Sequence, residues 1–256
     1  MKNAALFSTF AALALTDAKV FFQNAGKIDG WNGKSHTKGT IQETNTIFFS
    51  NRPSLNFTQI YDPGYDSLYH AQLRVDHGYA LNEERYYGFA FRLDKNWNFE
   101  PPVDYVLARF MGTFPSCDTT MPSTVLWLRG SKLWTQVVGG TSCDKEVVLY
   151  DLNQCAITKE KWHRVIIGAS WKADKTGFLK IWFDGQEVLT KTNIKTTVSD
   201  QGSRKFEFTL GANMWGWYWQ RDQYNPPRGA TYTVYFDTIT IADKKDEADP
   251  ENCKHI

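Results

Sequence analysis

The chain has 256 residues, room for one large domain or two small ones. Its 42% hydrophobic and 22% charged content excludes disorder as the main state. Lys and Arg total 29 against 28 Asp and Glu, a formal net charge of +1, which excludes a globally basic nucleic-acid binder but leaves a local basic groove open.

In chain order, residues 1–18 read as a secretion signal. Lys2 is a short basic head, residues 4–15 are apolar but too few to span a bilayer, and Thr16-Asp17-Ala18 offers a cleavage site ending in a small residue. A buried first strand or helix is the competing reading of this stretch. Nothing later resembles a membrane span, so the expectation is a secreted, extracellular protein with a single domain over 19–256. Asn56-Phe57-Thr58 is an N-glycosylation sequon.

Strand signals dominate the rest of the chain. The runs 69–75, 86–93, 105–111, 123–129 and 134–138 are short, rich in β-branched and aromatic residues, and bounded by turn residues. The runs 163–171, 177–185, 205–212 and 231–242 continue the pattern, and Asp184-Gly185 marks a hairpin turn. Long helical periodicity, internal repeats and linkers are absent from the sequence. The end of the chain, 243–256, is polar and expected to pack loosely except at Cys253. These features predict one all-β sandwich of two antiparallel sheets, one of them bent around a groove.

The four cysteines, Cys117, Cys143, Cys155 and Cys253, are an even number in a chain expected to be exported, which suggests disulfides. Three connectivities are possible. Cys117–Cys143 is favoured because each falls in a loop beside a strand of one meander, leaving Cys155–Cys253 to tie down the C-terminal end. No CxxC occurs and the five His are scattered, so the spacing does not suit zinc.

Three segments carry candidate chemistry. In the run 69–75, strand alternation puts Tyr69, Ala71, Leu73 and Val75 on one face and His70, Gln72 and Arg74 on the other. An imidazole, an amide and a guanidinium along one face suit an acidic, extended ligand; a plain solvated face is the alternative. In 105–110 the only charge is Arg109, and a charge in an otherwise apolar strand needs a partner or a ligand. In 211–220, Trp215, Trp217, Tyr218 and Trp219 cannot all point inward from one strand, and exposed aromatics beside Asn213 and Gln220 suit sugar rings. A glycosidase would need two carboxylates on one strand face. Glu247, Asp249 and Glu251 have such spacing but lie in the polar end, and Glu83-Glu84 face opposite ways.

At these residues the chain resembles the fungal-type glucuronan lyases, within the wider jelly-roll clan of the alginate lyases. The stretches that carry the likeness are 58–62, 69–74 (YHAQLR), 86–93, 107–110, 121–128, 169–185 and the region of Tyr218-Trp219-Gln220. The resemblance implies a β-jelly-roll with a concave substrate groove and β-elimination on a uronic-acid polymer, most closely β-1,4-glucuronan, giving 4,5-unsaturated oligosaccharides. It implies His70 and Tyr218 as active-site residues and Arg74 as a groove arginine, with Gln72, Trp127, Trp215 and Gln220 contacting sugar. Arg109 stands where the family pattern has glutamine, the partner of the substrate carboxylate. The implied partner is an acidic polysaccharide, neither nucleic acid nor membrane, met by a monomer. No cofactor is needed for the chemistry, although a structural calcium held by Asp237 and Asn24 is a further expectation; Asp237 simply ending a strand pairing is the plain alternative. A non-catalytic, lectin-like sandwich is the competing function.

Overall fold

The computed structural model describes residues 18–50, 53–100, 102–114, 117, 120–152, 156–202, 205–219 and 226–252, the side chains of 120, 121, 205, 212, 218 and 219 excepted. The signal expected over 1–18 therefore lies outside the described residues but for Ala18, as do Cys155, Gln220 and Cys253. No described helix is long and apolar enough to cross a membrane.

Among the described residues, fifteen strands form two sheets in which the strands pair antiparallel. In chain order they are β1 (Val20–Asn24), β2 (Gly33–Thr37), β3 (Gly39–Thr44), β4 (Ser54–Ile60), β5 (Tyr69–Ala80), β6 (Glu84–Leu93), β7 (Asp104–Thr113) and β8 (Thr120–Arg129). Then come β9 (Lys132–Gly140), β10 (Lys145–Leu152), β11 (Trp162–Ser170), β12 (Gly177–Phe183), β13 (Gln186–Ile194), β14 (Lys205–Met214) and β15 (Thr231–Ala242). Two helical turns, α1 (Trp215–Trp219) and α2 (Lys245–Ala248), flank β15 along the chain. One sheet runs β13-β12-β11-β6-β15-β4-β3 with β1 added on β15; the other runs β10-β9-β8-β7-β14-β5-β2. This is the jelly-roll sandwich, all-β as its sequence predicts.

Alternation decides which residues enter the core. Along β5, Tyr69, Ala71, Leu73 and Val75 are buried while His70, Gln72 and Arg74 keep contact with solvent. Much of the aromatic content goes between the sheets. Tyr79 stacks on Trp171 at 4.2 Å, Tyr87 meets Phe110 edge-on at 4.6 Å, and Phe208 packs beside both Tyr87 and Phe110. Their polar ends are matched: Tyr87 donates to the Gly78 carbonyl at 2.8 Å and Trp171 Nε1 donates to Tyr87 at 3.1 Å. Each fully buried ring of this kind stabilises the fold by about 1.5–3 kcal/mol.

The β12–β13 hairpin turns as its Asp-Gly pair predicts, with φ of 47° at Asp184 and 85° at Gly185. Cys117 and Cys143 are bridged, tying the loop after β7 to the β9–β10 turn.

The C-terminal segment departs from expectation. It is packed rather than loose as far as Asn252. Ala248 is fully buried against Ile166 and Ala242, and Asp249 and Glu251 both pair with Arg164, at 3.3 and 3.1 Å. A small side chain among charged neighbours hides this docking from a hydrophobicity reading. Gly88 makes room for it, since a Cβ there would sit 1.6 Å from the Ala248 carbonyl oxygen. Gly88→Ala is expected to destabilise the protein by at least ~1–3 kcal/mol, read as a lower urea midpoint. An unchanged midpoint would mean that the segment contributes nothing to the fold.

Candidate active site

The outer face of the β10–β2 sheet carries a cleft of about 580 Å³ where β5, β14 and β7 meet. Strand register builds its floor. His70 lies opposite Thr37 on β2 and Asn213 on β14, and Gln72 lies opposite Ser35 and Gly211. A register shift between Leu210 and Asn213, with Gly211 at a φ of 133°, marks a bulge in β14 beside β7. Such a bulge bends a strand and re-aims its side chains, here placing Asn213 in the cleft wall. Arg109 and Met111 enter from β7, and Trp215 closes one end from α1.

His70 has a defined tautomer. The Thr37 hydroxyl donates to the Leu68 carbonyl at 2.9 Å, so its oxygen accepts Nδ1–H of His70 at 3.0 Å. Nε2 is then the lone-pair nitrogen, and it accepts from the Ser35 hydroxyl at 2.7 Å. Burial holds the imidazole below its usual 6.5, and the charges of Arg109 and His36 push the same way against the Leu68 hydrogen bond. His70 is therefore neutral at neutral pH. His163 is a contrast: it is buried, with Nδ1 on Asp184 at 2.9 Å and Nε2 accepting the Thr158 N–H at 3.1 Å, both nitrogens serving structure.

Arg109 has no carboxylate within ion-pair distance among the described residues. Its Nη2 donates to Gln72 Oε1, and its Nε is buried without a partner. Burial pushes the guanidinium down to about 10, with the charge of Glu207 on the neighbouring strand pulling upward, so it stays cationic at neutral pH. A desolvated cation that faces a cleft and has no ion-paired carboxylate among the described residues is set to receive an anion.

The other expected site residues are placed unevenly. Gln72 and Trp215 line the cleft with His70 and Arg109. Arg74 does not. It pairs with Asp76 at 2.8 Å and Glu207 at 3.4 Å, so its charge is already matched. Asp76 lies two residues further on the same strand face, a partner that alternation alone could have revealed. Trp127 is on the cleft's side of the sheet but only 4% exposed, packed with Val106 and Val125 under Trp134 and Trp215. It supports the surface rather than forming it. The aromatic run 215–219 is a helical turn. The turn sends Trp215 to the cleft and Trp217 into the core, against Tyr61, Tyr69 and Tyr232. Tyr218 belongs to this turn, and its side chain lies outside the described set.

Asn24 and Asp237 close two separate loops. Asn24 accepts the Lys27 N–H at 2.8 Å and donates to the Asp29 carbonyl. Asp237 accepts the N–H groups of Phe49 and Ser50 at 2.8 and 3.0 Å and that of Thr238 at 2.7 Å. These contacts give each side chain a part in closing its loop. No cluster of three or more His, Cys, Asp or Glu among the described residues is placed to hold a metal.

Ser35, Thr37 and Tyr65 are cleft or His70-contacting residues that a sequence reading does not single out. Ser35 and Thr37 sit on a polar edge strand whose only signal is its pairing with β5. The described lining holds no Asp or Glu, so a two-carboxylate hydrolase finds no support in it.

A model of the family described as polysaccharide lyase matches residues 23–240. The chain belongs to the polysaccharide lyase family. Among solved structures, the lyase is similar to the endo-β-1,4-glucuronan lyase of the fungus Trichoderma reesei, at 32% identity and a TM-score of 0.85 over 91% of this chain and 99% of that one. It shares its fold with the marine PL-14 alginate lyase of Aplysia kurodai, at 12% identity and TM-score 0.53 over 78% and 86% of the two chains. It shares it also with the botulinum neurotoxin serotype D ligand-binding domain solved with N-acetylneuraminic acid, at 13% identity and TM-score 0.51 over 91% of this chain and 49% of that one. No curated protein sequence matches the chain. Family membership makes the protein a lyase acting on polysaccharide and sets aside the lectin-like reading.

Proposed function

We propose that this lyase cleaves β-1,4-glucuronan by β-elimination, outside the cell, and releases 4,5-unsaturated oligosaccharides. The observation that carries the reading is Arg109, a desolvated cation without an ion-paired carboxylate among the described residues, which opens onto the same cleft as a neutral His70. Its likeness to a glucuronan lyase over nearly the whole of both chains supports the substrate class.

The reaction removes the proton at C5, beside the carboxylate, forms the C4–C5 double bond and breaks the C4–O4 bond with O4 taking a proton. An ionised carboxylate resists the charge that builds at C5. Arg109, held by Gln72, is placed to neutralise it at that moment. His70, neutral and fixed with Nε2 outward to Ser35, adds a polar contact without a competing positive charge. In β-1,4-linked glucuronate the C5 proton and O4 lie on the same side of the ring, so one group can take the first proton and return it to O4. That role is assigned to the Tyr218 hydroxyl, from the turn that carries Trp215. Written this way, the reaction needs no cofactor. Export is supported by the Cys117–Cys143 bridge, which suits an oxidising compartment.

Incubation with glucuronan, alginate and a neutral β-glucan tests the reading. Ultraviolet absorbance of an unsaturated uronate should rise with glucuronan and stay flat with the glucan. New reducing ends without that absorbance would mean hydrolysis and end the proposal.

The pH dependence follows from His70. Its folded pKa lies below 6.5, so the acid limb of kcat/KM is expected below pH 6.5. Removing the Arg109 charge takes away one cause of the depression and should move the limb upward. The same shift acts on stability. As pH falls past 6.5 the unfolded chain takes up the proton before the folded one, so His70 subtracts stability from there down to its folded pKa. An imidazole titration followed by NMR at or above pH 6.5 would contradict this.

A further inference from the structure

One row of side chains crosses the cleft-bearing sheet. Register places His70 opposite Asn213, Asn213 opposite Val106, Val106 opposite Trp127 and Trp127 opposite Trp134. Opposed residues of antiparallel strands share a face, so the row leads from the cleft to Trp134 on β9. Contacts confirm the path: Trp215, at the cleft, and Trp134 both pack on the buried cluster of Val106, Val125 and Trp127. The rings of Trp127 and Trp134 lie nearly parallel, at an interplanar angle of 24° with centroids 6.3 Å apart.

Trp134 differs from Trp127 in being partly exposed. Its Nε1 is buried and has no hydrogen-bond partner, so what it shows to solvent is ring carbon. The Arg129 guanidinium lies over the ring at 5.3 Å and is itself held by Asp104 through two bonds of 2.6 and 2.7 Å. That pair leaves Arg129 matched in charge and fixed in position. The site therefore offers a partly exposed ring beside a fixed guanidinium, joined to the cleft through the buried cluster that Trp215 shares, with no unpaired cation among the described residues at the ring. Such a ring stacks on the C–H side of a pyranose rather than gripping its carboxylate.

We propose that Trp134 forms a distal subsite that stacks a pyranose of the same polymer chain whose cleavage occurs in the cleft. The inference rests on the proposed polyuronate activity. Strands lie about 4.7–4.9 Å apart. Trp134 is two strands beyond Arg109 and four beyond His70, hence roughly 10 and 19 Å away. A sugar in an extended β-1,4 chain advances about as far as one strand spacing. Trp134 then meets a sugar two to four units from the bond that breaks. The subsite rewards long chains and is blind to short ones.

The test compares kcat/KM on polymer and on size-fractionated oligosaccharides for wild type, Trp134→Ala and Trp134→Phe. It uses whichever polyuronate the wild type depolymerises. Trp134→Ala should lose about ten-fold on polymer, the size of one aromatic stacking contact, and stay within about two-fold on the shortest cleavable oligomer. Trp134→Phe, which keeps a flat ring, should recover most of the polymer activity. The ratio of the two substrates is read within one variant, so a general loss of folded enzyme cancels. Parallel loss on both lengths would make Trp134 a structural cover over Trp127, and no loss on either would leave it without a role; both overturn the subsite. A wild type that cleaves another polyuronate but not glucuronan overturns the substrate assignment alone.

Discussion

Tyr218→Phe should abolish turnover while leaving substrate binding close to wild type. The phenolic oxygen is proposed to take the C5 proton and return it to O4, so its contribution is made mainly in the transition state. Removing such a group lowers kcat and kcat/KM together with little change in KM. General acid–base steps are worth ~10²–10⁴-fold, and one residue serving both ends of the reaction lies at or beyond the top of that range. A free tyrosine titrates near ~10, and a nearby cation would favour its phenolate. The measurement pairs ultraviolet turnover with calorimetric binding of the polymer to the inactive variant. Near-normal kcat would remove Tyr218 from the chemistry. Tyr65, which lines the cleft, and His70 acting through water are then the groups to test.

How much of the fold and the site was legible depended on whether one face of a strand was buried. The alternation in β5 could be read because every second residue enters the core, and a slip of one residue would put His70 and Gln72 there instead. Arg109 could be read because a charge interrupts an apolar run. β2 and β3 could not. Their sequences, GKSHT and GTIQET, carry almost no apolar signal, and they form by pairing at the edges, on β5 and β4. The two hydroxyls that set the His70 tautomer lie on β2, so the site's orientation was hidden while its main residues were not. The turn at α1 has no helical signal in five mostly aromatic residues. Only the tertiary demand that Trp217 fill the core while Trp215 faces the cleft bends the chain there.

Arg109 separates binding from catalysis in a second way. Arg109→Met removes the only cation among the described cleft residues aside from any charge on His70. It leaves the Gln72 carbonyl without its donor. The expected loss in kcat/KM is about 10²–10³-fold, the range for deleting one preorganised donor at a developing anion. Arg109→Gln keeps an N–H at that position and installs the residue that the family resemblance leads one to expect there. It should bind polymer more weakly and retain part of the turnover. Salt distinguishes the two roles. Wild-type affinity should fall as ionic strength rises, because a local cation meets a polyanion despite the near-neutral chain. In Arg109→Gln that slope should flatten while the residual kcat persists. If the slope is unchanged, the polymer is held by charges elsewhere. Full activity in Arg109→Met would mean that the substrate carboxylate is neutralised by another group, and the reading of Arg109 as its partner would fall.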